Sequence, residues 1–450
     1  MTSAEAQASD KNHVLDALGK AASETRKKLG ESLASIQKFD VPLEQVTTSS
    51  LDALKTFSVY ARGGGLVPAF PMLQHVIALD PNFADAYAQL SDAYDDARET
   101  ELASEYAQKA FDLRDRVTER ERLSITGKYY YYVLGDLNQE LRTERVFEQM
   151  YPRAWGPWND ASCSWRLLAD HERALEEARE ALRLGSHAVN PYLNVGCALL
   201  CLERRKEARQ IAQRALAHGI DVPGMHLLMY QVAFLEDDTR EMEAQLGPLL
   251  SGAGREASID ALLTQSSTEA YFGRLRNSLA FSERALEVVK RSNFHESAAQ
   301  IIANEAVREA EFGNLGRARQ AASMALTLSS GRGAKLFASL ALARAGQVKR
   351  AQALADELDK KFPSNTMIQS YWLPTIRGSI ELARKKPFKA LDALRCTSLD
   401  LSDTGALVGN LYPAYVRGQA YLGMHRGKEA AVEFQKLLDH RSIVLNSPLG

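Results

Sequence analysis

The chain has 450 residues, enough for two or three ordinary domains or for one continuous repeat array, which grows without a single large core. With 45% apolar and 25% charged residues its composition is that of an ordinary globular chain, neither disordered nor membrane-spanning. Against 55 basic side chains stand 57 acidic ones, a net charge of −2, so no overall field draws it to nucleic acid or to an anionic membrane.

Residues 1–12 are polar and expected to be disordered. No apolar run there makes a secretory leader, and nowhere does the chain approach the roughly 18 apolar residues of a membrane span; a cytoplasmic place is the expectation. Residues 13–48 read as a helical junction segment. The triple glycine at 63–65 has no Gly-Lys-Ser/Thr after it, so it is a turn between two helices and not a phosphate loop.

From about residue 49 the pattern is repetitive. Tyr87, Leu90 and Tyr94 mark a first helix, and Ala103 and Ala110 a second. Trp158 and Tyr192 lie 34 apart, as do Ala174 and Ala208, and Ala181 and Ala215. Three kinds of position recurring together at about 34 residues define tetratricopeptide-type units, each a pair of helices. Tyr87 leads Trp158 by 71 residues, leaving room for one lengthened unit that contains Tyr131 and Pro152. The residue types follow from packing. Alanine stands where two backbones approach, large apolar residues fill the gaps, and proline stops a helix, as at Pro81, Pro152 and Pro363.

Beyond about 222 the register drifts, and 226–250 is helical in pattern but degenerate. A glycine-then-alanine turn returns as Gly273 with Ala285, Gly313 with Ala318 and Ala325, and Gly346 with Ala351. Further second helices lie at 390–394 and around Ala430, Phe434 and Leu437. About ten pairs are expected, as an all-α, right-handed solenoid. Polar turns at 250–255 and 400–409 suggest an N-terminal array over 49–250 and a C-terminal array over 256–450. The cysteines Cys163, Cys197, Cys201 and Cys396 include no CxxC pair; Cys197 and Cys201 share one helix face without further ligands and read as packing.

Some segments are more specific. These are TRKKLGESLASIQKFD at 25–40, PLE at 42–44, TTSSLDAL at 47–54, DPNF at 80–83, ALEEAREALRL at 174–184 and EFQKLLDHR at 433–441. They resemble the junction and repeats in the C-terminal part of large bacterial Ser/Thr protein kinases. The resemblance implies a regulatory or scaffolding role in bacterial kinase signalling. It does not carry the activity over, because the chain has no Gly-rich loop with a strand lysine, no His-Arg-Asp and no Asp-Phe-Gly. The alternative is that this chain is the regulatory part of such a kinase, lacking its catalytic domain. The resemblance also implies at least one further unit after residue 450, leaving an apolar stripe with Leu437 and Leu438 partly uncovered.

Solenoids of this kind bind along the concave face lined by first helices. There Asp85, Asp92, Asp95 and Asp96, with Tyr129 and Tyr132 from the next unit, form a candidate acidic, aromatic groove for a basic or apolar peptide. The alternative is a solvated acidic helix, with Tyr130 and Tyr131 in the core. Asn159, Arg166 and Asn194 on successive first helices are candidates to hold an extended peptide by hydrogen bonds, or else ordinary polar surface. Clusters of Lys, Arg and Asn that grip chaperone C-termini have no counterpart here: the matching positions are Asn159, Cys163, Asn194, Gly224 and Leu228. The nine histidines fall in no HExxH and no GxSxG occurs, so no catalytic residue, cofactor or metal is expected. The basic runs at 204–206 and 384–386 are short and lie on different units, which argues against nucleic acid. The expected partner is a protein or peptide.

Overall fold

The structure is a computed structural model that describes residues 3–9, 13–32, 48, 50–63, 69–251, 255–291, 294–395, 397, 402 and 410–444. Much of the junction at 25–54, two of the three glycines at 63–65, Cys396, most of the 400–409 turn and the tail from 445 lie outside the described residues. No strand occurs among the described residues.

Among the described residues, helix α1 (Val14–Lys28) precedes eleven antiparallel pairs. The first three are α2 and α3 (Leu51–Gly63, Ala69–Leu79), α4 and α5 (Ala84–Asp96, Thr100–Asp112), and α6 and α7 (Glu119–Lys128, Leu137–Met150). Four follow: α8 and α9 (Gly156–Leu167, His171–Leu184), α10 and α11 (Val189–Cys201, Arg205–Ala217), α12 and α13 (Pro223–Leu235, Thr239–Ser251), and α14 and α15 (Arg255–Tyr271, Leu275–Arg291). The last four are α16 and α17 (His295–Glu311, Leu315–Leu328), α18 and α19 (Arg332–Arg344, Val348–Lys361), α20 and α21 (Leu373–Ala383, Pro387–Ala393), and α22 and α23 (Tyr412–Gly423, Gly427–Asp439). One further turn, α24 (Arg441–Val444), ends the described chain. The chain is thus an α-solenoid of the tetratricopeptide type, with eleven pairs where about ten were expected.

The pairs are held by the residues the period picks out. Ala174, Ala178 and Ala181 on α9 are fully buried, as are Ala208, Ala212 and Ala215 on α11 and Ala318, Ala322 and Ala325 on α17. Alanine at these spacings lets one helix lie close along the next. Buried serines on first helices tie the pair across its width: Ser162 Oγ donates to the Ala174 carbonyl at 2.8 Å, Ser266 to Ser278 at 2.9 Å and Ser339 to Ala351 at 3.0 Å.

One turn recurs in almost every pair. The first helix ends on a left-handed residue, and the next amide closes back five residues. Examples are Glu99 to the Tyr94 carbonyl (2.8 Å), Asp170 to Trp165 (3.0 Å), Arg204 to Leu199 (2.9 Å), Asp238 to Ala233 (2.9 Å) and Gln347 to Leu342 (2.8 Å). This Schellman-type cap satisfies carbonyls that the helix end leaves open. Gly273, Gly313 and Gly346 occupy the left-handed position in three units, but Arg98, Ala169, Glu203, Asp237, Lys385 and His425 do so in others. The register that fades after 222 in the sequence is therefore intact at Asp237. One core cluster includes residues from Ala174 to Ala261.

The superhelix winds until its turns touch edge to edge. The Glu99 carboxylate accepts from the Ser297 amide (2.9 Å) at the start of α16. In return Glu296 accepts from the Glu101 amide (2.9 Å) and the Thr100 hydroxyl (2.7 Å) at the start of α5. Each helix start is thus capped by the other's carboxylate, where the helix dipole favours an anion. Arg98 pairs with Asp260 at 2.5 Å, and the Thr366 amide donates to the Gly135 carbonyl at 2.9 Å. At the far end the Ser442 amide and hydroxyl donate to Glu203 at 3.1 and 2.6 Å. Leu437 is half-buried there, packed against Cys201, Leu411, Ile443 and Val444, while Leu438 is 66% exposed. The chain's own middle units cover part of the stripe expected to stand open.

Candidate functional site

Inside the first turn of the superhelix, α4, α6, α7, α8 and α10 enclose a groove of about 340 Å³. Six carboxyl groups line it, from Asp92, Asp95, Asp96, Glu140, Glu144 and Asp160, against two cations, Lys128 and Arg166. Lys128 is nearly buried and holds both oxygens of Asp92 at 2.6 Å, and the Tyr132 hydroxyl donates to the same carboxylate at 3.1 Å.

Glu140 and Glu144 come from the second helix α7 and are each 2% exposed. Glu144 reaches in because residue 127 is glycine: a Cβ there would lie 2.0 Å from its Oε1. The Oε2 atoms of Glu140 and Glu144 have no hydrogen-bond partner. A buried carboxylate without a partner costs several kcal/mol, so a buried acid of this kind keeps its proton or waits for a cation. Burial pushes both groups well above the usual carboxylate range, with Asp160 adding to it. Burial also lifts Asp95 to about 6, and Asp96, which is open to the groove yet deep inside the superhelix, to about 7, where Asp95 and Asp92 add repulsion. Burial works against the Lys128 charge, yet Asp92 and Asp160 hold its pKa above that of a free lysine.

Of the residues singled out in sequence, Asp92, Asp95, Asp96, Tyr132, Asn159, Arg166 and Asn194 meet in this groove. Asp85 does not line it; it is half-buried and accepts from Gln89 at 3.4 Å. Tyr129 turns away and stacks on Phe111, ring centres 3.9 Å apart, and Tyr131 faces the groove in its place. The reason is a π-helical turn, Tyr129–Leu134, that continues α6. Its wider winding shifts the ring phase, and such turns gather at functional sites. Asn159 and Asn194 are buried and bonded to each other, Nδ2 of Asn194 to Oδ1 of Asn159 at 2.9 Å, so they lock α8 to α10. Lys128, Glu140, Glu144 and Asp160 were not anticipated. The Asp92–Lys128 pair spans 36 residues, about one repeat, which is the signal that places both on one face of adjacent first helices.

A second chamber, of about 370 Å³, opens on to Asp95, Asp96, Tyr131 and Tyr132 from the other side. Its other walls come from both turns of the superhelix: Arg98, Leu137 and Leu167 are among those from the first, Arg332, Phe337, Met367 and Trp372 among those from the second. A second π-helical turn, Ile368–Trp372, precedes α20 and lines it. Among the described residues no group of three or more His, Cys, Asp or Glu is placed to hold a metal ion, and no helix is long and apolar enough to cross a membrane. Cys163, Cys197 and Cys201 form no disulfide.

No family model matches the sequence, and no curated protein matches it. Solved helical structures do. Yeast Tom70 matches with a TM-score of 0.45 and 10% identity, over 95% of this chain and 97% of that one. The APC/C hetero-tetramer Cut9–Hcn1 gives 0.37 and 12%, over 91% and 85%. A monomeric IFIT1 mutant with the capped RNA m7Gppp-AAAA gives 0.38 and 13%, over 78% and 89%. All three scores lie below 0.5, so nothing about this chain's ligand follows from them.

Proposed function

We propose that the chain is a binding scaffold whose concave groove takes a basic side chain of a protein or peptide partner. The observation that supports this most is the pair of buried, unpartnered carboxyl oxygens on Glu140 and Glu144, within a wall of six acids and two cations. An arginine or lysine entering there trades its hydration for several charge-assisted bonds in a site where water screens little. A titration tests it. A fluorescein-labelled octapeptide with one arginine among alanines and serines binds the native chain, and Asp95→Asn with Asp96→Asn weakens it at least tenfold. Equal affinity for the native and doubly substituted chains would sink the proposal. Nucleic acid fits less well, since the basic run at 204–206 is spent on acids: Arg204 on Glu207 at 2.7 Å and Arg205 on Glu203 at 2.6 Å.

A finer reading places this scaffold in bacterial Ser/Thr kinase signalling, as a partner or as the regulatory part of a kinase. What supports it is the likeness of the segments at 25–54, 80–83, 174–184 and 433–441 to the repeat regions of those kinases. A kinase that co-purifies with the chain, and is lost from it on Asp95→Asn with Asp96→Asn, is the expected result. Co-purification that ignores the groove would count against this reading.

A further inference from the structure

We infer that the partner segment has two anchors, a basic side chain in the acidic groove and a large apolar side chain, best an aromatic one, in the chamber between the two turns. This rests on the groove reading above and adds to it. The two spaces are one site in the geometry, because Asp95, Asp96, Tyr131 and Tyr132 line both. A chain that reaches the acids from the inner side of the superhelix therefore passes the mouth of the chamber. The acids select a cation by charge. Beyond them the wall is mixed: Arg98, Arg332, Gln300 and Asn365 line it, and an apolar floor is made by Leu167 on one side and Phe337, Met367 and Trp372 on the other. Its volume, about 370 Å³, suits one ring-bearing side chain with room to spare.

The chamber exists only because the turns meet. Gly135 lines it and accepts from the Thr366 amide, and the Leu137 amide donates to Thr366 Oγ1 at 3.2 Å. Both π-helical turns of the described chain, 129–134 and 368–372, face it from opposite sides. A side chain lodged there touches two parts of the chain more than 200 residues apart in sequence, so it also holds the superhelix closed.

The test uses the full chain and synthetic nonapeptides with the arginine at the central position. One peptide carries a single arginine; in a set of eight, a tryptophan is placed one to four residues before or after it. The expected result is one or two spacings at which tryptophan tightens binding at least tenfold over alanine. Met367→Trp, which fills the chamber from its second-turn wall, removes that gain and leaves the arginine-only peptide within twofold. If that variant does not fold, Leu167→Trp fills the chamber from the opposite wall. Should the arginine-only peptide bind while no spacing gives a gain, or should the gain survive the filled chamber, this inference falls and the groove reading stands. Should no peptide bind, both fall.

Discussion

Ala169 carries the chain from α8 to α9 at φ 62°, a conformation that costs a residue with a Cβ about 1–2 kcal/mol. Some of the other non-glycine residues at this turn have a reason to be there. Arg98 reaches Asp260 and Glu203 reaches Ser442, each on the neighbouring turn of the superhelix, and glycine has no side chain to do so. Ala169 has nothing comparable. Ala169→Gly is expected to stabilise the chain by about 1 kcal/mol in urea unfolding, after the entropy lost by glycine is set against the relief. Glu203→Gly relieves the same strain but is expected to destabilise, with faster amide exchange at 441–444. If both substitutions move stability the same way, the explanation for the non-glycine turns is wrong. In the sequence only the glycine versions of this turn are legible, because a left-handed Arg, Ala, Glu or Asp looks like any other surface residue.

Among the elements, the second helices are the most legible. Their alanines repeat because backbones must approach, and no other residue type serves as well. The first helices carry the site and are harder to read. The unit between Tyr87 and Trp158 shows its extra length in sequence, yet nothing there says that the added residues wind as a π turn and bring Tyr131 round in place of Tyr129. Buried polar nodes are equally silent. Arg308 on α16 is 1% exposed, pairs with Glu305, and donates to Ser266 and Ser278 at 3.1 Å each, joining α14, α15 and α16. In sequence it is one of many arginines. Removing one partner of a buried ion pair costs about 3–5 kcal/mol, so Arg308→Met is expected to lower stability by that order in chemical denaturation. A loss under 1 kcal/mol would mean that the node is dispensable.

At the scale of the whole molecule, what sequence cannot show is the closing of the superhelix, since its contacts join residues about 160 to 240 apart with no periodic mark. The closure and the groove share a dependence on pH. Asp95 is lifted from 3.8 to about 6, Asp96 from 3.8 to about 7, and Glu99 from 4.5 to about 7, each chiefly by burial. The groups facing them are Asp92, Asp260 and Glu296, which raise these values, and Lys128, Arg98 and Arg332, which lower them. A raised value means that the folded chain holds the proton more tightly than the unfolded one. The contribution to stability is then complete below about 4 and is lost as pH rises through 6 to 7. Carboxylates with lowered values, such as Glu203 and Asp359, act in the opposite sense, but below the ordinary carboxylate range and so outside this window. The melting temperature is therefore expected to fall between pH 5 and pH 8. Replacing Asp95, Asp96 and Glu99 together by Asn, Asn and Gln flattens that slope. An arginine peptide, which binds the ionised acids, recovers more of the melting temperature at pH 8 than at pH 5. A native chain that grows more stable from pH 5 to pH 8, or a triple variant with an unchanged slope, would show that these three acids do not govern how tightly the superhelix closes.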